Sequence, residues 1–206
     1  MPQIVLGILA STRGTDLQVL IDAIETGALD ARIACVMSNK ADAFALERAR
    51  KHCIEAIFLD PKKFASKKDY DSEIVRLLNE RNVQLVLLIG YNKFLTEPFL
   101  DAFRNRAMNI HPSLLPAFKG WSEAVHRQVL DSGVKETGAT LFFIDEDPDG
   151  GPIICQKAVP VLEGDSVDSL KQRVQKAEQA ALLEGIGLFQ QGRLVLEGKR
   201  VRVAPK

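Results

Sequence analysis

The sequence predicts the α/β class: a mostly parallel sheet with helices on both faces, closing with a C-terminal antiparallel hairpin. Three observations carry this. Apolar runs at 4–10, 33–37, 54–59 and 83–89 read as strands, several of them buried on both faces. Segments of helical period separate them, as the crossovers between parallel strands require. Near the end, apolar residues at 194–203 flank Gly198, the signature of a hairpin.

The elements follow in order. The run 4–10 is broken only by Gly7, and Ser11-Thr12-Arg13-Gly14 is a turn. Thr15 to Gln18 reads as a capping box with Thr15 at the N-cap. Leu17, Leu20, Ile21 and Ile24 give that helix one apolar face, and Gly27 stops it. A strand at 33–37 precedes a helix at 43–50, and a third strand spans 54–59. A lysine-rich, solvated connection at 62–71 enters a helix at 70–82, with Ile74, Leu77 and Leu78 inward. The most apolar run, 83–89, ends at Gly90. A short helix at 97–103 leads to a strand at 107–110. Strands at 140–144 and 153–161, a long helix at 166–190 and the hairpin at 194–203 complete the chain. There is no repeat, low-complexity tract or linker, so residues 1–206 are expected to form one Rossmann-like domain.

Composition narrows the partners. Lys plus Arg number 27 and Asp plus Glu 27, giving zero formal net charge. That disfavours nucleic acid, whose binders carry a visible basic excess. Cys35, Cys53 and Cys155 are odd in number and form no C-x-x-C pair. This fits a reducing compartment better than a disulfide framework or a zinc site. The opening Met1-Pro2-Gln3-Ile4 lacks the charged start of a signal peptide. No stretch approaches the roughly 20 apolar residues of a membrane span. The expectation is a soluble cytoplasmic protein with no membrane, nucleic-acid or metal partner.

In open parallel sheets the ligand lies outside the carboxyl ends of the strands, which directs attention to 10–16, 38–42, 90–96 and 109–122. The chain has no G-x-G-x-x-G, P-loop, G-x-S-x-G or H-E-x-x-H. The 11–14 turn offers backbone amides before a helix, where an anion is favoured, or is a plain strand-to-helix turn. Asn109 and His111, two apart at a strand end, point to one side. An amide donor beside an imidazole can hold an oxyanion and manage a proton, or both can simply satisfy loop backbone groups. Asp145, Glu146, Asp147 and Asp149 crowd four carboxylates into five positions, either a solvated acidic turn or a loop in which desolvation raises one carboxyl's pKa.

Together, N-I-H-P-S-L-L-P at 109–116 and D-P-D-G-G-P at 147–152 resemble the folate-dependent formyltransferases, and in particular those acting on glycinamide ribonucleotide. Stretches at 16–18, 21–23, 38–43, 164–166 and 173–178 extend the resemblance along the chain. It implies a catalytic set of Asn109, His111 and Asp149. The implied reaction moves a formyl group from the co-substrate 10-formyltetrahydrofolate to the amine of glycinamide ribonucleotide. Asn109 and protonated His111 would stabilise the oxyanion of a tetrahedral adduct. Asp149 would support the His111 cation and assist proton transfer through water. The resemblance places the substrate phosphate on Thr12, Arg13, Gly14 and Thr15, with Gln175 nearby and Glu178 by the amine. The folate would lie along the backbone of Asn92, Lys93, Phe94 and Leu95 and of Phe142, Ile144 and Asp145. No metal is implied, and a homodimer is compatible with the family.

Departures from the family pattern cluster on the binding loops. Its first loop usually reads S-G-x-G-S-N, so Thr12 replaces a glycine, straining any left-handed backbone there, and Asp16 brings a negative charge. Arg13 offers an added phosphate contact. Tyr91-Asn92-Lys93 stands where F-M-R is common, and Phe142 where histidine is frequent. The loop 119–126 is longer than usual by about one or two residues. Formyl transfer is thus better supported than the acceptor. Amino-sugar nucleotides are the rival acceptor. A tRNA acceptor would call for a basic carboxyl-terminal domain. A formyltetrahydrofolate hydrolase would call for an amino-terminal regulatory domain and N-I-H-H-S. A pure binding module would leave the three catalytic positions idle. His52 and His126 read as structural or surface residues, and Trp121 as packing or a cover over a ligand.

Overall fold

The computed structural model describes residues 3–120 and 122–205, with side chains for all of these except Ser122 and Glu123. The reading of Trp121 lies outside the described residues. Two compact units divide the chain, Met1–Met108 and Asn109–Lys206.

In the first unit β1 (Ile4–Ala10), β2 (Ala31–Ser38), β3 (Glu55–Phe58) and β4 (Leu85–Ile89) alternate with α1 (Thr15–Glu25), α2 (Phe44–Lys51) and α3 (Lys67–Glu80). The strands run parallel in the order β3-β2-β1-β4. Leu6 pairs with Ile33 on one side and Leu85 on the other. Every residue of β1 and β4 is buried, which explains their uninterrupted apolar runs. Then α4 (Glu97–Ala102) follows, and β5 (Ala107–His111) carries the chain into the second unit.

Two helix starts differ from expectation. Gly14, in the left-handed region at φ 63°, is the N-cap of α1, and no side chain caps it, so Thr15 is the first helical residue. Helix α3 begins at Lys67 because the Ser66 hydroxyl accepts the Asp69 amide at 3.1 Å.

The second unit contains α5 (Ser122–Ser132), β6 (Glu136–Phe143), β7 (Ile153–Pro160), α6 (Val167–Gln190), β8 (Leu194–Glu197) and β9 (Arg200–Val203). Strands β6 and β7 are antiparallel, and β8 and β9 form the hairpin, with Gly198 at φ 65°. Helices thus flank a mostly parallel sheet system, with the antiparallel pairing confined to the second unit. The 119–126 segment is not all loop, since it enters α5 at Ser122. The signal was the four-residue spacing of Val125 and Val129, which pack with Leu170 and Val174 of α6. Among the described residues no helix is long and apolar enough to cross a membrane.

Backbone meets backbone at Gly138 on β6. A Cβ there would run into the Lys157 carbonyl oxygen of β7 and the Leu114 side chain. Gly138→Ala should therefore destabilise the protein by about 2 kcal/mol or more, read as a lower urea midpoint. An unchanged midpoint would refute the close approach.

His126 sits on the buried face of α5, 2% exposed, and its Nδ1 has no hydrogen-bond partner among the described residues. Burial, then Lys171 and His111, push its pKa from 6.5 down to about 4. Below pH 6.5 the unfolded chain takes up a proton that the folded chain refuses. Stability should fall as the pH drops from 6.5 to about 4. His126→Gln should remove one proton from that slope in unfolding measurements across this range. An unaltered slope would show that His126 titrates alike in both states.

Candidate active site

The chemistry of the first unit gathers after β1 and β4. The 11–14 turn has its carbonyls tied back. Thr12 O accepts the Ala45 amide at 3.2 Å, Arg13 O accepts Arg48 Nε at 2.9 Å, and Gly14 O accepts the Gln18 amide at 3.2 Å. Anchoring these three carbonyls constrains the intervening peptide planes, the condition for a turn whose amides can face an anion. A side chain on Gly14 would meet the Ala45 Cβ at 2.9 Å and Cα at 3.2 Å. Thr12 does not adopt the left-handed backbone anticipated for a glycine at that position. Its hydroxyl instead fills the space that a Cβ on Gly90 would need. Arg13 is exposed, Thr15 is half-buried, and Asp16 is buried in the first turn of α1.

The loop after β4 is braced from behind. Tyr91 and Tyr70 meet through their hydroxyls at 3.2 Å, and the buried Asp71 carboxylate accepts both the amide and the hydroxyl of Thr96 at 2.6 Å. In front, Asn92, Lys93 and Leu95 are half-buried, while the Phe94 ring is 57% exposed with Lys67 Nζ 5.8 Å from its centre. An exposed aromatic face among cations suits a ligand with aromatic and carboxylate parts.

In the second unit the N-I-H-P-S-L-L-P segment is a pinned loop. Thr140 Oγ1 donates to the Ser113 carbonyl at 2.7 Å and accepts the Leu115 amide at 3.0 Å. Gln156 Nε2 donates to both Leu115 O and Thr140 Oγ1 at 2.9 Å. Ser113 Oγ closes the far end on the Ala117 carbonyl at 2.5 Å. His111 at the end of β5 is held within this frame. Its Nε2 lies 2.8 Å from the Phe118 carbonyl. A carbonyl can only accept, so Nε2 carries a hydrogen and Nδ1 is left as the exchangeable position. Asp149 Oδ1 lies 3.7 Å from that Nδ1, beyond hydrogen-bond reach but within ion-pair distance.

The acidic loop is shaped to present Asp149. Asp145 Oδ1 accepts the Asp147 amide at 2.9 Å, and the Gly150 amide donates to the Asp147 carbonyl at 2.9 Å. Asp149 itself takes φ 54°, a conformation that aspartate tolerates better than most side chains. The Gly120 amide donates to its Oδ2 at 3.3 Å, and Lys119 Nζ lies 3.4 Å from the Pro148 carbonyl and 3.8 Å from Asp147 Oδ1. Gly151 packs directly on the Phe143 carbonyl, where a Cβ has no room. Glu146 and Asp147 are exposed, so the solvated-turn reading applies to them, while Asp145 and Asp149 are half-buried.

The structure thus brings His111 and Asp149 together, with Asn109 half-buried two residues earlier on the same strand. Gln175 and Glu178 lie half-buried, three apart on α6. Phe142 is buried in the core, 2% exposed; Ile144 and Asp145 are half-buried just beyond the end of β6. Sequence reading missed Thr140 and Gln156, which are register partners across β6 and β7, and Arg48. It also missed the Phe118 carbonyl, a backbone atom that no side-chain motif announces. Among the described residues no group of three or more His, Cys, Asp or Glu is placed to hold a metal ion.

Comparison with known proteins identifies the family. The formyl transferase family profile matches residues 5–186. The phosphoribosylglycinamide formyltransferase of Escherichia coli (strain K12) is 40% identical over 187 residues, 91% of this chain and 87% of that protein. The trifunctional purine biosynthetic protein adenosine-3 of Drosophila pseudoobscura pseudoobscura is 41% identical over 201 residues, 97% of this chain. This chain spans only 15% of that longer relative. The crystal structure of glycinamide ribonucleotide transformylase 1 from Symbiobacterium toebii superposes with a TM-score of 0.94 at 45% identity, covering 98% of this chain and 95% of that one. The chain belongs to the formyl transferase family, and within it to the folate-dependent enzymes of the phosphoribosylglycinamide formyltransferase type.

Proposed function

We propose that this chain transfers a formyl group from 10-formyltetrahydrofolate to the amine of glycinamide ribonucleotide, a step of purine biosynthesis, with Asn109, His111 and Asp149 doing the chemistry. The observation that carries the reading is the held imidazole: Nε2 fixed on the Phe118 carbonyl and Nδ1 turned to the Asp149 carboxylate. The family match supports the reaction class, and the relatives' names supply the acceptor.

The folate donor supplies an activated formyl carbon. Attack by a neutral amine builds negative charge on the formyl oxygen and positive charge on nitrogen. Asn109 offers an amide N–H to that oxygen, and His111, protonated at Nδ1, offers a second donor carrying a full charge. Asp149 balances the imidazolium at 3.7 Å and, through water, accepts the proton that the attacking nitrogen must lose. That proton passes to the folate nitrogen as its bond to the formyl carbon breaks and the adduct collapses to the formylated amine and tetrahydrofolate. Because Nε2 is committed, proton traffic at His111 is confined to the side facing Asp149.

We assign the acceptor's phosphate to Thr12, Arg13, Gly14 and Thr15, with Gln175 and Glu178 serving the rest of the acceptor. The folate is assigned to Asn92, Lys93, Phe94 and Leu95, and to the backbone of Phe142, Ile144 and Asp145. The exposed Phe94 ring beside Lys67 suits the donor's aromatic and carboxylate groups. We read residues 1–206 as a single formyltransferase domain, since the family match runs across both compact units. Three free cysteines fit a reducing cytoplasm, and a homodimer is compatible with this reading but supplies nothing to the chemistry.

Incubation with 10-formyltetrahydrofolate, with and without glycinamide ribonucleotide, tests the reading by loss of donor. Loss only with the acceptor is expected. Loss without it would mean hydrolysis, and loss only with an amino-sugar nucleotide would move the acceptor. Asp149→Asn should lower kcat by about a hundredfold or more with an unchanged melting temperature. Activity near that of the unsubstituted protein would remove Asp149 from the mechanism.

A further inference from the structure

Three loops at the carboxyl ends of β1, β2 and β4 are joined by a closed ring of hydrogen bonds. The Asn92 amide donates to Ser11 Oγ at 3.1 Å, the Ser11 hydroxyl donates to Asn39 Oδ1 at 2.5 Å, and Asn39 Nδ2 donates to Asn92 Oδ1 at 3.0 Å. Every donor in the circuit has one acceptor, and Ser11, 3% exposed, lies at its centre. The Ser11 amide also donates to the Gly90 carbonyl at 3.3 Å, stitching the turn to the β4 loop a second time. The ring depends on an asparagine at 92, where the family commonly carries methionine, because a methionine side chain offers no comparable acceptor.

We infer that Asn39 is a positioning residue that locks the 11–15 turn and the 91–95 loop to each other, so that the acceptor's phosphate and the folate donor bind one preformed frame. The inference rests on the proposed assignment of those two loops to the two substrates. Asn39 touches neither substrate in that assignment. Its two ends hold a residue of each loop, the amide oxygen accepting from Ser11 and the amide nitrogen donating to Asn92. Opening the ring strands the buried Ser11 hydroxyl and frees Asn92, so both loops must be ordered afresh on binding. Substrate binding then weakens while the chemistry, carried elsewhere, proceeds at its former rate.

The test is steady-state kinetics and amide hydrogen exchange on Asn39→Ala, with Asn39→Ser and Ser11→Ala as companions. KM should rise roughly tenfold for both substrates in Asn39→Ala, with kcat within about threefold. The Asn39→Ala/Ser11→Ala double variant should be no worse than Ser11→Ala alone, because one ring is broken only once. Exchange should quicken in 12–14 and in 92–95 together. An unchanged KM for either substrate, a loss confined to kcat, additive single effects, or exchange that quickens only around 39–42 would each overturn the inference. If a variant folds poorly, quickened exchange throughout the chain reveals it, and Asn39→Ser decides the question. If the unsubstituted protein fails to formylate glycinamide ribonucleotide, the functional reading falls, and the exchange of the two loops alone judges the coupling.

Discussion

The bond between His111 Nε2 and the Phe118 carbonyl is the constraint around which the second unit is arranged. It settles which ring nitrogen carries a permanent hydrogen, and so which one is available for chemistry. A carbonyl at that place requires the chain to double back after Pro116, which Ser113, Thr140 and Gln156 enforce through bonds of 2.5–3.0 Å. The other face of the ring then needs a charge partner. The left-handed Asp149, followed by Gly150 and Gly151, is delivered there by a loop that closes on its own amides and oxygens. Two loops distant in sequence meet because β5, β6 and β7 hold their ends.

The first unit solves a different problem. At its strand ends it offers a turn with tethered carbonyls and a loop braced by Tyr70, Asp71 and Thr96. Both are held before any ligand arrives, which lowers the ordering cost that binding would otherwise carry. The proposed function divides the labour: recognition on stiff backbone in one unit and proton management on fixed side chains in the other.

Much of this was legible in the sequence, for identifiable reasons. β1 and β4 are buried along their whole length, so continuous apolar runs marked them almost to the residue. The two motifs pointed to Asn109, His111 and Asp149 because the chemistry proposed for those residues lies in side chains. What escaped was of two kinds. Helix α5 was hidden behind Gly120, and its apolar spacing is only two rows deep, so the segment read as an extended loop. The Thr15 capping box failed because Gly14 already turns the chain into the helix with its left-handed backbone. Contacts made by backbone atoms, such as the Phe118 carbonyl, and by residues paired across strands, such as Thr140 with Gln156, have no linear signature.

Nitrogen-15 NMR of the His111 imidazole across a range of pH tests whether the ring exchanges protons only on the Asp149 side. The neutral form should be protonated at Nε2, with the second proton arriving at Nδ1 and the Nδ1 shift responding to Asp149→Asn. A neutral form protonated at Nδ1, or an Nδ1 indifferent to Asp149, would contradict that one-sided exchange.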